Sequence, residues 1–81
     1  MANSHTFRRL SMNLREIEEG KEYLIKSIKT DDKELEAFLF SLGCYVGEPI
    51  TVVSRRNGIC IVSIKESRYG IDNKLAEAIT V

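Results

Sequence analysis

The chain has 81 residues, of which 43% are hydrophobic and 30% charged, and its 12 lysines and arginines balance 12 aspartates and glutamates. A chain of this size buries only about 60% of the surface that its unfolded form exposes, so it forms one small domain with little room for a multi-step active site. Zero net charge excludes the broad positive field that drives general nucleic-acid binding. No apolar run approaches the roughly 18 residues that cross a bilayer, so we expect no membrane insertion.

Residues 1–12 show neither helical nor strand periodicity, and they contain Asn, Ser and Thr, which compete with regular backbone structure. We predict a flexible N-terminal extension there, followed by a single domain over residues 13–81. The extension has no apolar segment of the kind that a secretory signal requires, so a cytoplasmic location is expected. Whether it is native or an added start is left open.

Asn13 and Glu16 open the predicted domain with the spacing of a capping box. One short helical turn is therefore predicted over residues 14–19, with Leu14 and Ile17 facing the core. Residues 22–28 alternate and are rich in β-forming side chains, which predicts a strand.

A longer helix follows, with Asp31 as its N-cap and Glu34 at the third position. Its apolar residues recur at i, i+3, i+4 and i+7, which makes one core-facing stripe that ends at Gly43. The stripe consists of Leu35, Phe38, Leu39 and Leu42.

The second half of the chain is typical of antiparallel β-structure. Strands over 49–55 and 59–65 are joined by Asn57 and Gly58, a pair that suits the positive φ angles of a hairpin turn, and alternation places Cys60 in the core. Two more short strands are predicted over 68–72 and 78–81, separated by a turn at 73–76. The chain is thus mainly β with one α-helix. Five or six short strands can remove their edges only by curling, which predicts a small SH3-like barrel.

The sequence offers no set of residues that could form a catalytic site. The only histidine, His5, lies in the predicted extension, where packing cannot hold it against a Ser, Thr or Cys nucleophile. Gly-rich phosphate-binding motifs and the H-E-x-x-H zinc motif are both missing from the sequence. We expect no enzyme activity and no required cofactor.

Few residues in the sequence could bind a metal ion. Glu16 and Glu19 lie at i, i+3 in an R-E-x-x-E string, but two exposed carboxylates bind divalent ions only weakly. Cys44 and Cys60 form no C-x-x-C pair and are expected to be small core thiols. We assign no metal site.

The candidate partner-binding surface consists of Phe40, Tyr45, Arg55 and Arg56. Phe40 lies off the helical stripe and Tyr45 follows the end of the helix, so both are expected to be partly exposed beside one another. Packing of Phe40 under the N-terminal segment or the neighbouring loop is the alternative. Arg55 and Arg56 form a basic patch at the hairpin tip, or simply guard a solvated sheet edge against aggregation.

The end of the helix and the strand after it resemble the FeoA family, small cytoplasmic accessory proteins of bacterial ferrous iron uptake. The family pattern L-x-x-L-G-[LIVM]-x-P-G is matched at Leu39, Leu42, Gly43 and Gly47. Cys44 and Val46 replace the usual aliphatic residue and proline. The family ending A-x-x-I-x-V is matched at Ala76, Ile79 and Val81, so the resemblance covers residues 13–81. The matched glycines suit a helix C-cap and a turn, and the motif is structural.

The resemblance implies an SH3-like barrel that contacts the cytoplasmic part of FeoB, the GTPase-containing ferrous iron permease, and modulates transport. The alternative it implies is a transition-metal-binding module like the C-terminal domain of iron-dependent repressors, with weak binding of divalent transition metals. An unpaired barrel edge or the Phe40 and Tyr45 region leaves homo-oligomerisation open.

Overall fold

A computed structural model describes residues 12–81. Residues 1–11 of the predicted extension, His5 included, lie outside the described residues. Met12 forms two backbone hydrogen bonds with Val81, its N–H donating over 3.0 Å and its carbonyl accepting over 2.7 Å. These bonds join the first described residue to the end of the chain.

The described chain forms six strands and two helices, arranged in two antiparallel sheets. One sheet has the order β1-β3-β4-β5 and the other pairs β2 with β6. The elements in chain order are β1 (Glu22–Leu24), β2 (Ser27–Ile28), α1 (Lys33–Ser41), β3 (Pro49–Arg56), β4 (Ile59–Ile64), β5 (Ser67–Asp72), α2 (Asn73–Ala78) and β6 (Ile79–Thr80). This confirms the mainly β class, and the described residues form two helices where one was predicted.

Residues 14–20 form turns and bends, here called the N-terminal turn. The helical turn predicted over 14–19 is therefore wrong. The capping pattern is present, since the Asn13 N–H donates to Glu16 Oε1 over 2.9 Å. A helix would need the Leu14 and Ile17 carbonyls for its own ladder. Here both carbonyls accept hydrogen bonds from the Arg55 side chain instead. The predicted burial of Leu14 and Ile17 is confirmed.

The strand predicted over 22–28 is two strands that belong to different sheets. The chain changes sheet at Ile25 and Lys26: the Ile25 N–H donates to the Glu48 carbonyl over 2.9 Å, and the Lys26 N–H to the Thr80 carbonyl over 2.7 Å. The change of sheet is how so short a chain curls its β-structure around one core.

Helix α1 begins one residue later than predicted, because Asp32 and not Asp31 is its N-cap. Asp32 Oδ1 accepts from the N–H groups of Glu34 and Leu35 over 3.0 and 3.1 Å. The core-facing stripe is narrower than predicted: Leu39 is fully buried, but Phe38 is 46% exposed. At about 100° per residue, Phe38 lies at the edge of the face that Leu39 centres.

The β3–β4 hairpin confirms the predicted turn, with φ of 51° at Asn57 and 78° at Gly58. The expected burial of Cys60 is also confirmed. The segment predicted as a turn at 73–76 is instead helix α2, which Asp72 caps by accepting from the Leu75 N–H over 2.9 Å.

Both sheets and both helices enclose a single core. Its largest fully buried side chains are Leu14, Ile25, Leu39, Ile50, Ile64, Ile71 and Ile79, with Val52, Val62, Cys44 and Cys60. Neither helix in residues 12–81 is long and apolar enough to cross a membrane.

Candidate partner-binding surface

Phe40 and Tyr45 form an exposed aromatic pair at the end of α1. Their ring centroids lie 6.0 Å apart with 29° between the planes, and the residues are 43% and 49% exposed. The predicted juxtaposition of these two residues is present, and within residues 12–81 no neighbouring loop covers Phe40. Lys65 Nζ lies 6.0 Å from the Tyr45 centroid and 3.3 Å from Glu48 Oε2, so a cation borders the pair.

The pair keeps its position because the chain turns sharply after α1. Gly43 has φ of +97°, in the left-handed region that favours glycine, and a Cβ there would lie 3.4 Å from Lys65 Cε. The Cys44 N–H donates to the Leu39 carbonyl over 3.1 Å, and both residues are buried. Leu42 is half-buried and Gly47 has φ of +90°, and the structural role of the four motif residues stays a prediction.

Apolar surface continues beyond the aromatic pair. Val46 follows Tyr45 and is 72% exposed, and Leu24 on β1 is 58% exposed. The Gly47 N–H donates to the Ile25 carbonyl over 2.7 Å, which brings the backbone after Val46 beside the backbone after Leu24. Exposed apolar side chains in one region of a small domain are typical of a contact surface.

Arg55 and Arg56 point to opposite faces of the sheet. The register of β3 against β4 shifts between Val52 and Ser54, which is a β-bulge. After the bulge Arg55 lies opposite the buried Cys60 and Arg56 opposite the exposed Ile59. The two arginines therefore do not form one patch on a single face of the sheet.

The Arg55 side chain holds the N-terminal turn on the barrel. Its Nη2 donates to the Leu14 and Ile17 carbonyls, each over 2.6 Å. Nη1 lies 4.0 Å from Glu19 Oε2, and the side chain is only 29% exposed. Sequence reasoning missed this contact because the carbonyls it uses lie 38 and 41 residues earlier in the chain. A role for Arg55 in partner binding stays a prediction.

Arg56 lies at the rim of a shallow groove of about 240 Å³ at the hairpin tip. Three arginines are among the residues that line this groove, and no aspartate or glutamate is among them. The lining residues are Arg15, Arg55, Arg56, Asn57, Gly58, Ile59 and Asn73. Nothing in the local sequence around Arg15 or Asn73 indicates that they meet the hairpin, because the tertiary fold alone brings them there.

The donor groups of residues 12–81 do not fit a resident transition-metal ion. No three His, Cys, Asp or Glu side chains come together in this part of the chain. Glu16 already accepts from the Asn13 backbone, and Glu19 lies beside Arg55. Burial raises the pKa of the Cys44 thiol to about 11, so that thiol stays protonated at neutral pH, whereas a metal takes the thiolate.

The FeoA domain model matches the sequence over residues 12–81. Among solved structures, the iron uptake regulatory protein FeoA superposes with a TM-score of 0.78 and 26% identity, over 89% of this chain and 96% of that one. FeoA of Stenotrophomonas maltophilia in complex with zinc, a prokaryotic SH3-domain protein, gives 0.76 and 18%, over 84% and 86%.

A manganese-dependent transcriptional repressor is also similar, with a TM-score of 0.82 and 22% identity over 89% of this chain. The chain spans 41% of that repressor's length. The predicted SH3-like fold is confirmed by these structures. No curated protein sequence matches the chain.

Proposed function

Since the chain belongs to the FeoA domain family, we propose that it is a cytoplasmic, non-enzymatic accessory protein of bacterial ferrous iron uptake. In this proposal it regulates transport by binding the cytoplasmic part of a FeoB-type permease through the surface around Phe40 and Tyr45.

The observation that carries the proposal is the exposure of this aromatic pair. Aromatic side chains bring a large contact area at little cost in conformational entropy, and they are enriched at the centres of protein interfaces. A small domain that buries only part of its apolar surface gains no stability from rings held in water. Their outward position, built by the turn at Gly43, therefore favours a use in contact with a partner.

A binding role also agrees with the chemistry of residues 12–81. Both thiols are buried, and Cys44 keeps its proton at neutral pH, so neither is presented as a nucleophile. The metal-binding alternative has support from the fold of the repressor, but the donor set of the described residues gives it none.

The test is a binding measurement with the purified cytoplasmic part of the permease, free of nucleotide, with GDP and with a GTP analogue. Phe40→Ala is expected to weaken binding by about tenfold or more, as truncation of an interface anchor does. Phe38→Ala is the matched control, because Phe38 is 46% exposed on the same helix and lies about 160° around the axis from Phe40.

The control is expected to stay within about twofold of the wild-type Kd. Failure of the wild-type chain to bind in every nucleotide state would refute the proposed function. Equal losses for the two variants would refute the placement of the surface at Phe40 and Tyr45.

A further inference from the structure

We propose that the groove at the tip of the β3–β4 hairpin binds an acidic segment of a protein partner, with a carboxylate on Arg56 and a neighbouring apolar side chain on Ile59. This inference rests on the proposed function in that the occupant is a protein. It adds a second contact, on a different part of the barrel from Phe40 and Tyr45, and gives it a chemical specificity.

The first argument is the local charge. The whole chain is electrically balanced, yet the groove lining holds Arg15, Arg55 and Arg56 and no acidic side chain. Arg15 is ion-paired with Glu77 on α2, and Arg55 lies 4.0 Å from Glu19. Within residues 12–81, Arg56 has no carboxylate within ion-pair distance. One guanidinium thus remains uncompensated in a basic setting.

A single uncompensated guanidinium matches a single carboxylate. Guanidinium and carboxylate groups form paired, charge-assisted hydrogen bonds in one plane, a geometry that a lysine cannot offer. A phosphate dianion would leave one negative charge without a partner once the Arg15–Glu77 and Arg55–Glu19 pairs are counted. The charge count therefore favours a carboxylate over a phosphate dianion.

The second argument is an apolar ledge beside the basic rim. Ile59 is 41% exposed, and a Cβ on Gly70 would lie 3.5 Å from both Ile59 Cγ2 and Ile61 Cδ1. The two isoleucine side chains thus lie over Gly70 on the outer face of the sheet. A free anion would gain nothing from contact with this apolar surface, whereas a peptide can place an apolar side chain on it next to its carboxylate.

The third argument is the rigidity of the groove. The turn residues Asn57 and Gly58 both have positive φ, which fixes the hairpin tip. Asn73 Nδ2 lies 3.7 Å from the position of a Cβ on Gly58, so a side-chain amide of α2 rests against the turn. These groups are in place before a ligand arrives, which lowers the entropy cost of binding.

The experiment is an NMR titration of the full 81-residue chain with three probes. The first is a soluble ten-residue peptide with two Asp-Leu steps, the second is its Asn-Leu counterpart, and the third is inorganic phosphate. The acidic peptide is expected to shift the amide signals of residues 56–59 and of Asn73, and less so as salt is raised. The Asn-Leu peptide is expected to leave them unchanged.

Arg56→Ala is expected to weaken binding of the acidic peptide by about tenfold, as loss of a charge-assisted pair does. Arg68→Ala is the matched control, because it removes the same charge from a residue paired with Ser63, about 13 Å along β4 from Ile59. Equal weakening by both variants would show diffuse charge attraction and overturn the proposal. Shifts of residues 56–59 by phosphate at the same concentration would assign the groove to phosphate instead and also overturn it.

The permease assay separates this inference from the proposed function. If Arg56→Ala and Phe40→Ala each weaken binding to the permease independently, the groove proposal and the proposed function both stand. If the wild-type chain binds the permease and Arg56→Ala has no effect on either the permease or the peptide, only the groove is refuted. If the acidic peptide binds the groove and the permease does not bind at all, only the proposed function is refuted.

Discussion

Replacing Arg55 with Met should release the N-terminal turn from the barrel while leaving the hairpin in place. The Met side chain keeps most of the aliphatic stem of Arg55 and removes the guanidinium that donates to the Leu14 and Ile17 carbonyls over 2.6 Å each. Because both carbonyls belong to buried residues, each then loses its partner in a poorly hydrated place.

The magnitude follows from the two bonds. A hydrogen bond from a charged donor contributes about 1.5 to 3 kcal/mol, and the lower end applies because the Arg55 side chain is 29% exposed. We therefore expect Arg55→Met to lower the free energy of unfolding by about 2 to 3 kcal/mol. For a domain of this size that corresponds to a fall in Tm of about 10 to 20 °C.

Urea denaturation followed by circular dichroism measures this loss, with Arg56→Met as the matched control on the outer face. The control should change the free energy of unfolding by no more than about 0.5 kcal/mol. Amide hydrogen exchange of residues 13–19 should also accelerate in Arg55→Met, because the turn opens locally. Equal destabilisation by the two variants would refute the idea that the Arg55 hydrogen bonds hold the N-terminal turn.

Two further predictions test local assignments. Asp32→Ala should cost about 1 kcal/mol of stability through loss of the α1 N-cap, and Asp31→Ala should cost less than about 0.5 kcal/mol; equal thermal shifts for both would contradict the cap at Asp32. Above pH 9 the Cys44 thiol of the unfolded chain loses its proton while the folded chain keeps it up to a pKa of about 11, so the free energy of unfolding should fall as the pH rises from 9 to 11. Urea denaturation at several pH values should show a shallower fall for Cys44→Ala, and parallel profiles would contradict the burial of the thiol.

Features set by neighbouring residues could be predicted from the sequence. Asn57 and Gly58 accept positive φ at little cost, so the hairpin turn is a local property, and alternation along β4 places Cys60 and Val62 in the core. The angle of Phe40 on the helix favoured its exposure, but the sequence also left open that it packs under another segment.

The predicted N-cap at Asp31 and the predicted burial of Phe38 are wrong. In both cases a shift of one residue along the chain changes the outcome. Asp31 and Asp32 are chemically equivalent as caps, and the backbone conformation of Asp32 decides between them. Phe38 has the spacing of a core residue, but it lies at the edge of the stripe on a nine-residue helix that buries only Leu39 fully.

The sequence by itself determined the hairpin turn and the approximate placement of α1, because short-range sterics and periodicity decide them. It left the exposure of Phe40 as one of two alternatives. Only the tertiary structure decided the roles of Arg55 and Arg56. Strict alternation from Val52 would have turned Arg56 inward, and the bulge reverses this, so that Arg55 reaches carbonyls about 40 residues away while Arg56 lies opposite the exposed Ile59. A bulge depends on how two strands pair and on what packs beneath them, and neither can be read from a run of neighbouring residues.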